Sequence, residues 1–416
     1  MTAVVRHHGH GQGGPAADAR RAEDDCRLQD GIYFRRERRP GRCYRLLLLN
    51  VKPGATRPQM RESIASVWMR VQALGAELLE DLRPPRLQAP AHAPDPPKPE
   101  LTCLVGFGAS LFERYPDLGS SPDLIRIETE PGPFPALARV AEADRATGEA
   151  DLALQFIAES ELAVSRAVVE AGMLIKKQSL SLDVAALYSG FNREDRRSWL
   201  GFHDGISNIA PELRRSAIET KVAGSTEGDP AWMDGGTYMG FLRLAIDLEM
   251  WRGLDRKDQE LCVGRDIQTG CPITRSQGDV REVLDGCPES RGPGTPLYRN
   301  PPVPPIDPDN LARSSHMNRA NLNRPQHGPV EDKDNRIFRQ GYEFVEALPR
   351  GRLRVGVNFV SFQRRISSLT TILTNQSWLG DANFGGKPSP TLLTLIGGGY
   401  YAVPPTGGPF PGAEMF

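Results

Sequence analysis

Apolar positions first gather at Cys43-Tyr44-Arg45-Leu46-Leu47-Leu48-Leu49-Asn50-Val51, a run of strand length closed by Lys52-Pro53-Gly54. From Arg57 to Leu82 the pattern changes. Ile64, Val67, Val71, Leu74 and Leu78 recur at three- and four-residue steps, which predicts an amphipathic helix. Pro84 to Pro99 is a proline-rich spacer. Strands are expected at Leu101–Gly108 and Asp151–Ile157, and a helix over 160–176. Strand, helix, strand, strand, helix is the order of a ferredoxin-like α+β unit, with helices laid on an antiparallel sheet.

The same order then starts again, without a residue-level repeat. Gly235–Ile246 reads as a strand, 247–263 as a helix, Val355–Phe362 as a strand and 364–376 as a helix. Between them, roughly 275 to 310 is dense in Pro, Gly and charge, and a loop of that length is unusual inside a domain. The fold class expected is therefore α+β, with two ferredoxin-like halves, each an antiparallel sheet with packed helices. The boundaries follow: a disordered tail over 1–40, an N-terminal domain over 41–210 and a C-terminal domain over 211–416.

A chain of 416 residues agrees with two domains. Its 51 Lys and Arg nearly balance 52 Asp and Glu, so no net charge steers it toward nucleic acid or a membrane surface. The six cysteines contain no C-x-x-C pair, which argues against zinc and iron–sulfur sites and requires no disulfide. No run approaches the ~18 apolar residues of a spanning helix, and Arg20-Arg21 is followed by polar and acidic residues. A cytoplasmic location is the expectation.

The densest chemical signal is Gly201-Phe202-His203-Asp204-Gly205-Ile206-Ser207-Asn208, with one carboxylate between two glycines. Of seven histidines, four fall in segments expected to be mobile, leaving His203, His316 and His327 as candidate ligands. Each signal has a plainer reading. Asp204-Gly205 is a common turn pair, Arg339 reads equally as a surface arginine on a strand, and nothing in the residues alone selects His316.

The order of these segments resembles the dye-decolorising peroxidases, the DyP family. Gly201–Gly205 matches G-x-x-D-G, Ser315–Asn321 is similar to the A-H-I-R-x-x-N segment, and Phe338–Phe344 to L-R-R-G-Y-x-Y. Further similar phrases are Gly106–Phe112, Gly235–Tyr238, Gly264–Pro272, Phe359–Gln363 and Gly398–Pro405. The departures are Gln340 for the second Arg, Met317-Asn318 for I-R, and Asn358 within a phrase that is usually G-L-L-F. Alternation still leaves Val357 and Phe359 on one strand face and Asn358 on the other.

The resemblance implies the dimeric α+β barrel type of fold and haem b held in the C-terminal half. His316 would be the axial iron ligand, with Asp381 as its hydrogen-bond partner. Asp204 and Arg339 would be catalytic, the first moving a proton and the second stabilising charge. Gly205, Arg265, Val357 and Phe359 would line the cofactor. The activity implied is reduction of hydrogen peroxide and one-electron oxidation of organic donors (dyes, phenolics) through an oxoferryl intermediate. An Asp base, titrating near pH ~4, implies an acidic optimum. Bulky donors would be oxidised at a surface Trp or Tyr, with Trp378, Tyr342, Tyr400 and Tyr401 as candidates against their plainer reading as core residues. Neither nucleic acid nor membrane is expected as a partner, and a homo-oligomer is left open. The alternative on the same fold is a haem-binding or deferrochelatase-like iron-release protein.

Overall fold

Strand β1 (Cys43–Val51) carries leucines at four successive positions because both of its faces are covered. Leu46 and Leu48 enter one core, Leu47 and Leu49 another. The computed structural model describes residues 27–33, 39–76, 101–118, 150–203, 205, 208–209, 211–222, 229–277, 280–284, 312, 315–320, 336–373 and 392–416, with only the backbone of 138–139 and 211–212.

After β1 the chain forms α1 (Arg57–Gly75), β2 (Thr102–Gly108), α2 (Ala109–Arg114), β3 (Ala138–Arg139), β4 (Leu152–Ala158), α3 (Glu161–Lys177) and β5 (Leu182–Phe191). Helix α1 starts where the Thr56 N–H donates to Gln59 Oε1 at 2.9 Å, and it buries Met60, Ile64, Val67 and Val71 on one stripe. Next come α4 (Pro211–Ile218), β6 (Thr237–Ile246), α5 (Leu248–Gly253), α6 (Arg256–Val263), the hairpin β7 (Ile273–Gln277) and β8 (Val280–Val283), and α7 (His316–Arg319). The chain closes with β9 (Phe338–Leu348), β10 (Arg352–Gln363), α8 (Ile366–Leu373) and β11 (Leu393–Val403).

The strands pair in the order β2-β4-β1-β5-β9-β10-β6-β11, and β11 returns to pair with β2. Within each half the order is second, third, first, fourth, which is the ferredoxin-like arrangement. Two such sheets joined at β5–β9 and β11–β2 close a barrel, and β3 adds to β11 in parallel. The two-half α+β architecture expected from the sequence is the one observed.

The barrel interior is one core, built from Tyr44, Leu46, Leu48, Tyr188, Phe241, Tyr342, Val360 and Tyr401 among others. Helices α1 and α3 cover the outer face of the first half, burying Leu47, Val105, Leu154 and Phe156. A third core, including Leu242, Leu244, Trp251, Leu369 and Tyr400, lies outside the second half. At the edge of the first half Asp151 is fully buried. It accepts from the Val51 N–H and Ser110 Oγ, both at 2.7 Å, and pairs with Arg114.

Several local expectations are corrected. Arg27–Tyr33, assigned to the tail by composition, packs on the barrel because Leu28, Ile32 and Tyr33 find an apolar interior. Gln29 secures it by donating to Val105 O (3.0 Å) and Pro404 O (2.8 Å) while accepting from the Val105 N–H (2.8 Å). Of the tail expected over 1–40, residues 1–26 and 34–38 lie outside the described residues, as do the Pro84–Pro99 spacer and His327. The helix expected over 247–263 is two, because Asp255 accepts from the Asp258 N–H at 2.8 Å and starts a new helix. The start of the supposed 275–310 loop is the β7–β8 hairpin. Cys271 is disulfide-bonded, which cysteine spacing did not indicate. No described helix is long and apolar enough to cross a membrane.

Candidate functional site

Register places one face of the second sheet as a set of rows. Arg339 on β9 lies opposite Ser361 on β10, which lies opposite Gly240 on β6 and then Tyr400 on β11. The next rows are Gly341, Phe359, Leu242 and then Glu343, Val357, Leu244. Val357 and Phe359 are half-buried on this face, as the alternation predicted, while Asn358 turns inward and donates from Nδ2 to Ser189 O at 2.8 Å. The face thus combines an apolar wall with one guanidinium at its end.

The segment around Gly201–Asn208 is bound along the β9 edge of that face. Arg197 donates to Gly201 O (2.6 Å) and Ile267 O (2.8 Å), and the Trp199 N–H donates to the Glu343 carboxylate. Gly205 has φ +77°, a left-handed conformation that glycine adopts without strain, and its carbonyl accepts from the Asn208 N–H at 3.2 Å. The Asn208 side chain then donates to Arg339 O (2.8 Å) and accepts from the Arg339 N–H (3.1 Å). Asp204 itself lies outside the described residues. Burial, and then the nearby charge of Arg197, hold the His203 imidazole below its ordinary pKa.

His316 opens α7, a single helical turn. Ser315 is its N-cap, accepting from the Asn318 N–H at 3.4 Å. Asn318, one of the departures from the family phrase, is buried and donates from Nδ2 to Ala312 O (2.6 Å) and Ser315 Oγ (3.0 Å). The turn rests on the end of α6. Gly264 there has φ +89°, and a Cβ at that position would collide with the Ser315 side chain. Arg265 follows, buried, and donates to Gly270 O at 2.5 Å, so part of its guanidinium shapes its own loop. Glu260 supports the same loop, accepting from the Ile267 N–H at 3.0 Å and pairing with Arg281 at 2.6 Å.

Residues 195–407 match the family described as Dyp-type peroxidase, C-terminal, and so span every candidate above. The chain belongs to the DyP-type peroxidase family. Among curated relatives, deferrochelatases of Escherichia coli O157:H7 and of Escherichia coli strain K12 are each 27% identical over 326 residues, 75% of this chain. The match spans 66% of the length of either relative, just under two thirds. A DyP-type peroxidase from Cellulomonas bogoriensis superposes with a TM-score of 0.62 at 22% identity, covering 90% of this chain and 93% of that one. An oxyferrous complex of DtpA from Streptomyces lividans gives 0.62 at 20% identity, covering 94% and 95%. These likenesses show that the DyP-type fold is the fold of this chain.

Of the residues singled out in the sequence, the structure joins Arg339, Val357 and Phe359 on one face and brings Gly205 to it through Asn208. Arg265 adjoins the α7 turn that carries His316. Asp381 and Trp378 lie outside the described residues. Tyr342, Tyr400 and Tyr401 are all buried, so none of them is a surface point of donor oxidation. Tyr342 stacks on Tyr44 inside the barrel, ring centroids 4.5 Å apart. The sequence reading missed the parts played by Asn208 and Asn318. An amide three residues after a Gly turn, or two after a candidate ligand, was the available signal.

Proposed function

We propose that the chain is a haem-dependent peroxidase that reduces hydrogen peroxide and oxidises organic donors in one-electron steps. The observation that carries this reading is the junction of the Gly201–Asn208 segment with Arg339 at the end of an apolar sheet face. A flat, largely apolar cofactor with charged edges fits that face, where Val357 and Phe359 remain half-exposed and Ser361 Oγ is buried with no partner among the described residues.

The cofactor proposed is haem b, which would be held mainly by the 211–416 domain, with His316 as the residue that would ligate its iron, Arg265, Val357 and Phe359 lining it, and Gly205 reaching it from the preceding segment. When bound, it supplies the iron at which peroxide is reduced and through which donor electrons pass. The remaining work falls to side chains. Asp204 takes a proton from one peroxide oxygen and returns it to the other. The Arg339 guanidinium stabilises the negative charge that develops as the O–O bond breaks. Val357 and Phe359 exclude water from that step. The partners proposed are peroxide and a dye or phenolic donor. As to location, the cytoplasmic expectation is weakened by the Cys271 disulfide, since cytosolic proteins seldom keep one.

The test is an absorption spectrum of the full chain supplied with haem, followed by peroxide and a reducing dye. A haem spectrum that changes with peroxide and recovers with dye, and whose axial-ligand features vanish in His316→Ala, supports the proposal. The relatives named deferrochelatase favour one second reading, iron release with the porphyrin left intact. It predicts free-porphyrin fluorescence and little dye turnover.

A further inference from the structure

Arg339 sits near the start of β9, beyond the reach of β5, which pairs with β9 only at Phe191 and Glu343. In an antiparallel ladder a residue points its N–H and C=O to the same side. Arg339 turns both away from β10 and toward Asn208, whose amide answers each of them, at 3.1 and 2.8 Å. A side chain thus does there what a neighbouring strand does elsewhere. Asn208 is in turn fixed to the segment it belongs to, its N–H donating to Gly205 O at 3.2 Å and its Oδ1 also accepting from the Ile209 N–H at 3.1 Å. A second tie lies at the neighbouring residues, Ile209 after Asn208 and Phe338 before Arg339. Arg214 donates to Ile209 O at 2.8 Å and lies over the Phe338 ring, 4.7 Å from its centroid.

We propose that Asn208 is a positioning residue, setting the backbone of Arg339 against the turn from Gly205 to Asn208, which follows Asp204 in the sequence. The proposal rests on the peroxidase reading above for its effect on rate, but not for its effect on the backbone. Asn208 lies 131 residues before Arg339 in the chain and hydrogen-bonds the segment that follows Asp204 to the backbone of Arg339. Proton transfer and charge stabilisation depend on where these groups stand relative to each other, and a shift of about 1 Å in such an arrangement lowers rates on the order of 100-fold. A glutamine is one methylene too long, and a serine too short to reach both backbone groups.

The experiment uses the full chain as wild type, Asn208→Ala, Arg339→Leu and the double variant. With haem supplied, Asn208→Ala should lower kcat/KM for peroxide about 10- to 100-fold while donor oxidation at saturating peroxide falls far less. In the Arg339→Leu background the same change should have little further effect, because residues acting through one another are not additive. Without haem, hydrogen exchange should show the Arg339 amide protected in wild type and exposed in Asn208→Ala. An undiminished effect in the Arg339→Leu background, or an Arg339 amide equally protected in both proteins, overturns the proposal. If haem-loaded wild type does not consume peroxide, the peroxidase reading fails, and the exchange experiment still decides the role of Asn208. Should Asn208→Ala not fold, Asn208→Ser keeps a local acceptor for the Ile209 N–H and is read the same way.

Discussion

Replacing Asn318 by alanine tests how the candidate iron ligand is held. Helix α7 has four residues. A single turn is not stable in water by itself, so its order must come from caps and packing. Three supports are visible: the Ser315 cap, the buried Met317 beside Gly264, and the Asn318 amide. Asn318→Ala removes two buried hydrogen bonds, to Ala312 O at 2.6 Å and Ser315 Oγ at 3.0 Å. Each is worth about 0.5–1.5 kcal/mol net. Neither acceptor is stranded, because Ala312 O still takes the Ser315 N–H (3.2 Å) and Ser315 Oγ the Asn318 N–H (3.4 Å). The loss should therefore sit at the lower end, about 1–2 kcal/mol. If that loosens α7 before haem binds, haem must restore its order, and Kd should rise about 5- to 30-fold. Titrating the apoprotein with haem and following the Soret band gives this number. Exchange of the α7 amides should increase in the variant, while the midpoint of global unfolding barely moves, since the bonds are local. Wild-type haem affinity together with wild-type exchange in α7 would refute the reasoning.

Arg339→Leu should slow the reaction with peroxide about 100- to 1000-fold in stopped flow, with haem affinity little changed, and an unchanged rate would remove it from the mechanism. Asp151→Asn should destabilise the chain by about 3 kcal/mol in denaturant unfolding, the low end of the range for breaking a buried pair because the Arg114 side chain is 39% exposed. A loss below about 1 kcal/mol would mean that the amide satisfies the Val51 and Ser110 donors. For His203 the folded-state pKa is depressed, so the unfolded chain binds the proton more readily. Its contribution is full above the ordinary value near pH ~6.5 and is lost as pH falls through that value toward the folded one. Thermal melts of wild type between neutral pH and about pH 5 should fall more steeply than those of His203→Gln, and parallel curves would contradict the assignment.

What the sequence made legible follows from where periodicity survives. Helix α3 (Glu161–Lys177) and strand β10 have one buried face each in a regular rhythm, and both stood out. Strand β5 did not, because Val184 and Leu187 are exposed on its outer side and small residues fill much of the rest. Strand β11 was not singled out, because three successive glycines, Gly397 to Gly399, interrupt its apolar pattern, and it forms by pairing with β6 across a bulge. At the site the candidate residues were legible only as an ordered set resembling a family. Whether Arg339 was a surface arginine could not be decided locally, because its backbone partner comes from another segment of the chain. The tyrosines show the converse. Tyr342 and Tyr401 alternate into the barrel interior, and Tyr400 onto the third core, so their plain reading as core residues was the correct one.

The two halves share a strand order, yet only the second presents a candidate site, and the reason lies in what crosses each sheet. In the first half the connection from β1 to β2 carries the 19-residue helix α1, and the connection from β4 to β5 carries the 17-residue α3. Together they close the outer face over β2 and β4, where Val105, Leu154 and Phe156 are at most 3% exposed. In the second half the equivalent connection from β6 to β9 contains, among the described residues, only the short helices α5, α6 and α7 and one hairpin. None of these is long enough to lie along the strands as α1 does. Val357 and Phe359 are accordingly left half-buried on a face whose counterpart in the first half is sealed. Arg339 stands at the end of that face, and His316 lies within the connection from β6 to β9. Among the described residues, then, the half whose first crossover carries only short helices is the half with apolar strand positions that a cofactor can cover.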